Sequence, residues 1–314
     1  MRRVLAVLLA PVLLFAFSAC SDEAEPEQQA ADSIDAVQVK GKAGAKPSLE
    51  FEKPYKANKT ESKVVADGVA TSGAGEPVEK GDAVVVDYVG VNARDGKEFD
   101  SSWAENRPPA LFTLEDGSLI KGFVSGLVGK KIGDRVLISI PAKDGYPQGN
   151  PDAGIKKGDT LLFVVDLLMK PAASAQGTPV EPEAGLPEVQ LDEQDRPQAV
   201  KIPKENPPEE PVTQPLIKGD GAKVEAVSTI AVHLLGANWR TGEVVESSWA
   251  QGQPYVLPVA GLFEGLKNGL VGQTGGSRVE IVVPPEQGFG EDIPGTDVKK
   301  DDTLVFVVDI VGVL

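Results

Sequence analysis

The sequence predicts an α+β fold of two tandem copies of one module, each an antiparallel, twisted half-barrel sheet wrapped around one short helix. Three observations carry this prediction. The first is a repeat. DGKEFDSSWA at Asp95–Ala104 returns as GEVVESSWA at Gly242–Ala250, and DTLLFVVD from Asp159 returns as DTLVFVVD from Asp302. A period of about 145 residues is far too long for a solenoid, so the copies are domains. The second is a set of β-branched, apolar runs bounded by Gly, Pro and Asp-Gly. The third is a single helical pattern per copy. In the first copy it is Ile120, Phe123, Val124 and Leu127, at i, i+3, i+4 and i+7.

Taken in order, the chain opens on a targeting segment, Met1 to Cys20. Arg2 and Arg3 are its positive end, and Val4 to Phe17 is an apolar run too short for a comfortable membrane span. Ser18-Ala19-Cys20 follows, then acidic residues. Small residues before the only cysteine resemble the lipobox of bacterial lipoproteins, with Phe17 where leucine is commoner. The resemblance implies that Cys20 is lipidated and anchors the chain to the extracytoplasmic face of the cell membrane; a plain secretory signal is the alternative. Lipoproteins carry more than one acyl chain, which stable anchoring needs. Residues 21–46 lack apolar periodicity and read as a flexible tether. Residues 47–170 form the first copy, 171–185 a Pro/Ala linker and 186–314 the second copy.

Within the first copy, Ala83 to Val89 is a strand stopping at Gly90, Arg135 to Ile140 alternates up to Pro141, and Thr160 to Leu168 is a long apolar strand. Arg94-Asp95-Gly96-Lys97 is a turn. Gly122 and Gly126 weaken the helical stretch as an isolated helix, so packing on the sheet must hold it. Pro203 to Pro215 reads as an extended run along the edge of the second copy.

Composition excludes several functions. The net charge of −16 over 314 residues argues against nucleic acid as a partner. One cysteine allows no intramolecular disulfide, and one histidine argues against a histidine metal site or triad. No cofactor and no metal are expected.

DYVG, DGKEFDSS, SLIKGFVSGLVG, GDRVLISIP with Gly145-Tyr146, and GDTLLFVVDLL stand in that order. The ordered set resembles the FKBP family of peptidyl-prolyl cis-trans isomerases over about residues 64–168, and more weakly over 216–311. The resemblance implies the half-barrel already expected, and a pocket. Its strand tyrosine falls on Tyr88, its wall phenylalanine and buried aspartate on Phe99 and Asp100, and its ligand-binding loop on Leu119 and Ile120. The aromatic floor falls on Phe123, the ligand-facing tyrosine on Tyr146, the flanking isoleucine on Ile155 and the strand phenylalanine on Phe163. Ala110 stands where an aromatic wall is common, which leaves one side of the pocket open. Asp100 is expected to be hydrogen-bonded near Tyr88 and not to act as a base. Val84, Val86, Leu161 and Val165 are core, and Trp103 and Trp249 are structural.

The second copy has Leu234, Val245, Glu246 and Leu266 at the positions of Tyr88, Phe99, Asp100 and Phe123, and Phe289 at that of Tyr146. His233 beside Leu234 is read as structural. The expected function is an exported, membrane-tethered prolyl isomerase that assists the folding of secreted proteins, active in the first copy on proline-containing segments of exported polypeptides. The alternatives are a non-catalytic FKBP-like chaperone or adaptor binding such segments, and a structural lipoprotein.

Overall fold

The computed structural model describes residues 32–68, 73–104 and 107–314. The targeting segment and Cys20 lie outside the described residues. The strands of the first copy are β1 (Gln38–Lys40), β2 (Ser48–Glu50), β3 (Glu61–Ala66), β4 (Ala83–Asn92), β5 (Glu98–Ser101), β6 (Ala110–Thr113), β7 (Arg135–Ile140) and β8 (Leu161–Met169), with α1 (Lys121–Leu127) between β6 and β7. The main sheet has the order β3-β7-β8-β4-β5. The long β4 changes partner midway: its first half pairs with β6 and its second half with β5, both antiparallel.

Successive side chains on a strand face opposite ways, and the two faces of this sheet have different covers. Val84, Val86 and Tyr88 of β4, Ile138 of β7 and Phe163 and Val165 of β8 point inward and pack under α1. Seven residues are too few for a self-supporting helix. Two glycines make it worse by roughly 2 kcal/mol. A Cβ on Gly122 would collide with Ile140, and one on Gly126 with Ile138, so the glycines let the helix backbone lie against β7. Phe123, Val124 and Leu127 are buried as a result. Each contributes roughly 1.5–3 kcal/mol, so packing exceeds the cost in propensity.

The outer face corrects the expectation of a tether over its described part, residues 32–46; residues 21–31 lie outside the described residues. β1 and β2 pair as a hairpin, and Ile34, Val37 and Tyr55 are buried against Leu137, Leu162 and Val164. Arg135, itself buried, pins this hairpin. Its guanidinium forks onto Asp166 at 2.5 and 2.7 Å and donates to the carbonyls of Lys42 at 2.9 Å and Ala45 at 2.8 Å. The segment from Asp32 is therefore part of the folded unit. Its apolar residues are too sparse to show a period, yet they cover a face that would otherwise be wet.

The second copy repeats this plan. Its elements are β9 (Thr178–Pro179), β10 (Glu188–Leu191), β11 (Pro197–Lys201), β12 (Val212–Lys218), β13 (Thr229–Asn238), β14 (Val244–Ser247), α2 (Ser248–Gln251), β15 (Tyr255–Pro258), α3 (Glu264–Leu270), β16 (Arg278–Val283) and β17 (Leu304–Val313). The sheet order is β14-β13-β17-β16-β12-β9, with β15 on β13. The β10–β11 hairpin covers the outer face, and Arg278 forks onto Asp309 while donating to the Asp195 carbonyl in the hairpin turn. The linker also differs from expectation. Thr178 and Pro179 add to the edge of the sheet, and Ala175 N–H donates to Asp309 at 2.9 Å, so the linker is bound to the second copy between 172 and 181.

The copies meet through a shared apolar cluster. Val85, Leu111, Leu168 and Met169 of the first copy pack with Ala231, Val256 and Val311 of the second. These are corresponding positions in the repeat, so the contact is approximately two-fold. Gly312 stands at the position of Met169, and the Met169 sulfur fills the space a side chain there would need.

Candidate functional site

The inward-facing aromatic residues of the first copy come from five different elements. β4 supplies Tyr88, β5 supplies Phe99, β6 supplies Phe112, α1 supplies Phe123 and β8 supplies Phe163. Their rings form a mostly edge-to-face chain. Phe99 meets Phe163 at 5.5 Å and 89°, Phe163 meets Phe123 at 5.3 Å and 89°, and Phe123 meets Phe112 at 5.3 Å and 89°. Tyr88 lies 5.4 Å from Phe112. Such geometry sets positive ring edges against negative faces. Gly90 makes it possible, because a Cβ there would sit 2.8 Å from both the Phe99 and the Phe163 ring.

The rings enclose a cavity of about 620 Å³ that opens between Leu119-Ile120 and the loop carrying Tyr146. Tyr88, Phe99, Asp100, Leu119, Ile120, Phe123, Tyr146 and Phe163 all line it. Ile155 does not. It is buried in the core, and its N–H and C=O exchange hydrogen bonds with Asn150 at 2.9 and 2.8 Å. Its place is to hold the base of the Tyr146 loop. The wall expected to be open at Ala110 is closed by Phe112, two residues along the same face of β6. Sequence reasoning missed Phe112, although the alternation Ala110, Phe112, Leu114 marks it.

The polar groups are few. The Tyr88 hydroxyl donates to Asp100 Oδ2 at 2.7 Å, and Asp100 Oδ1 accepts from Ser101 N–H at 2.9 Å. Burial, and then donation to the carboxylate, push the Tyr88 hydroxyl well above the ordinary phenol range, so it stays a neutral donor. Asp100 has both oxygens engaged and Arg107 at 3.7 Å, an arrangement that orients the tyrosine. The Tyr146 hydroxyl has no hydrogen-bond partner among the described residues. Among the described residues no cluster of His, Cys, Asp and Glu could hold a metal ion. The site can therefore enclose an apolar group and offer donors to carbonyls beside it.

The same place in the second copy is built differently. Phe263, the residue before α3, packs on Phe306 at 5.5 Å and on Phe289 at 4.9 Å. The tyrosine–carboxylate pair has moved. Tyr255, at the position of Ala110, donates to Glu246 at 2.5 Å, and burial plus this bond raise its hydroxyl to about 12. His233 is buried, bonded to Ser248 at 3.0 Å and stacked on Trp249 at 5.2 Å. Its counterpart Asp87 accepts from Ser102 at 2.7 Å, so both groups close the same local turn. A cavity of about 680 Å³ lies beside the linker, but its walls are Pro179, Val180, Leu186 and Leu216, and its one guanidinium, Arg278, is committed to Asp309.

The family model described as FKBP-type peptidyl-prolyl cis-trans isomerase matches residues 74–168 and 221–311. The chain is 33% identical over 113 residues to a probable FK506-binding protein of Corynebacterium glutamicum, covering 36% of this chain and 95% of that one. It is 31% identical over 117 residues to an FK506-binding protein of Streptomyces anulatus, covering 36% of this chain and 94% of that one. It is 36% identical over 163 residues to the FKBP-type peptidyl-prolyl cis-trans isomerase FkpA of Escherichia coli, covering 51% of this chain and 54% of that one. Both family matches begin after the hairpins, which lie outside them.

Proposed function

The chain belongs to the FKBP-type peptidyl-prolyl cis-trans isomerase family, and we propose that its isomerase activity resides in the first copy. An X-Pro bond rotates slowly because rotation breaks amide resonance. The reaction moves no proton and forms no covalent bond. A twisted amide has less charge separation than a planar one, so a water-poor pocket disfavours the planar ground state relative to the twisted one. Tyr88, Phe99, Phe112, Phe123 and Phe163 provide that enclosure for the proline ring. The Ile120 N–H and the Tyr146 hydroxyl would hold the carbonyls flanking it and fix the orientation. Asp100 positions Tyr88.

The observation that carries this reading is the closed ring of aromatics around a cavity beside a hydroxyl without a partner. The second copy, with Phe263 packed over Phe306 and a phenylalanine at the position of Tyr146, serves as a non-catalytic companion. The test is a protease-coupled isomerisation assay on the full chain. Tyr88→Leu with Phe99→Val, the residues the second copy carries, should reduce catalysis towards the uncatalysed rate while circular dichroism stays native. Undiminished catalysis in that variant would overturn the assignment.

We further propose that the enzyme is exported and tethered through Cys20, and that its substrates are exported polypeptides. The support is the order of Arg2-Arg3, the apolar run and Ser18-Ala19-Cys20. Cys20→Ala should release the protein from the membrane fraction or block its processing. Unchanged fractionation and unchanged mature mass would refute the anchor.

A further inference from the structure

The copies carry opposite charges at corresponding positions of the pocket mouth. Lys121 opens α1 directly after Ile120, and Lys143 lies in the turn Ala142–Asp144, just before Tyr146. Both are exposed and both line the first-copy cavity. At the start of α3 and in the turn Pro285–Gln287, the second copy has Glu264 and Glu286. Two carboxylates also reach the first-copy mouth, each held by a neutral hydroxyl that leaves its charge in place. Asp144 accepts from the Thr60 hydroxyl at 2.9 Å, and Asp100 accepts from Tyr88 at 2.7 Å. Outside the mouth, Asp116 lies close enough to feel Lys121, but its carboxylate is bound by Lys80. Among the described residues neither Lys121 nor Lys143 has an ion-pair partner. Two free ammonium groups thus stand at the mouth of this pocket in a chain of net charge −16.

We propose that the first-copy pocket selects prolyl bonds flanked by acidic residues, with Lys121 and Lys143 as the specificity-determining residues. This rests on the reading of the first copy as the isomerase. Lys121 directly follows Ile120, and Lys143 stands three residues before Tyr146 in the same loop; each lines the cavity together with one of the two groups assigned to the carbonyls around proline. A substrate side chain next to proline therefore passes within reach of an ammonium group. The overall negative field repels acidic peptides; the local cations offset it where the peptide docks. Exposed charges in water select modestly, so glutamate over lysine should gain about threefold to tenfold at low ionic strength. Salt at about 0.5 M should erase most of that gain, because its screening length is only a few ångströms.

The test compares kcat/KM of the full chain on peptides with glutamate, alanine or lysine immediately before proline. The expected order is glutamate, alanine, lysine, narrowing with added salt. K121E/K143E should reverse the order, and K121R/K143R should keep it. If the charge reversal does not fold, K121Q/K143Q should flatten the order instead. Equal turnover of the three peptides at low salt, or an order unchanged by the charge variants, overturns the proposal while leaving the isomerase reading intact. Acceleration of none of the peptides overturns the isomerase reading itself, and this inference with it.

Discussion

Tyr146 and Asp100 supply polar groups to the same pocket, but mutation should separate them. Tyr146→Phe removes a hydroxyl with no internal partner, so the fold should hold and kcat/KM should fall by about a few-fold to tenfold, one net hydrogen bond. Asp100→Asn keeps an acceptor for Tyr88 and should cost less than that. The pH–rate profile should be flat from about pH 6 to 8, since no histidine or cysteine lines the cavity. A bell-shaped profile, or a collapse in a folded Asp100→Asn variant, would point to acid–base chemistry instead. Glu280 offers a different test. It occupies the outer-face position of Leu137, is 1% exposed, and neither carboxylate oxygen has a partner. Desolvation raises it to about 7 from an ordinary 4.5. The folded chain then keeps a proton that the unfolded chain releases above about pH 4.5, so this group lowers stability as pH rises from about 4.5 to 7. Glu280→Leu should stabilise by roughly 2–3 kcal/mol more at pH 8 than at pH 4.5 in urea melts; an equal gain at both values would contradict the burial argument. Sequence alone could not place Glu280, since a single acid in an alternating strand reads as a solvent-facing residue.

The elements divide into those with a local signal and those set by contact. β7, β8 and the helical stretch were legible from the apolar runs and from the i, i+3, i+4 pattern, within a residue of their ends, whereas β4 runs through Gly90 to Asn92, three residues past its expected end. The need for packing beneath α1 was legible from Gly122 and Gly126, though not the identity of the residues beneath, Ile140 and Ile138. Gly122→Ala should gain about 1 kcal/mol of helix propensity yet lose roughly 1–3 kcal/mol by overpacking, for a net destabilisation. A Gly122→Ala variant more stable than the parent by chemical denaturation would mean that α1 lies off the sheet. The hairpins were not legible, because two short strands with few apolar residues have no period to detect. What identifies them is tertiary: a buried guanidinium, Arg135 or Arg278, whose surplus donors reach turn carbonyls.

At the scale of the whole molecule, the repeat was visible in the sequence and the docking of the copies was not. Val85 and Ala231 are ordinary apolar strand residues until their faces meet. Gly312→Val should force Met169 out and part the copies, lengthening the particle in solution scattering and speeding protease cleavage within 171–185. Unchanged scattering and unchanged cleavage would show that the cluster does not hold them together. The same Met169–Gly312 contact also decides which faces can pair. Two first copies brought together would set methionine against methionine on the axis, and two second copies would set glycine against glycine around a void. Each face is therefore matched only to its unequal twin, and cross-pairing between neighbouring chains is disfavoured sterically. That mismatch keeps the first copy of each chain paired with the second copy of the same chain.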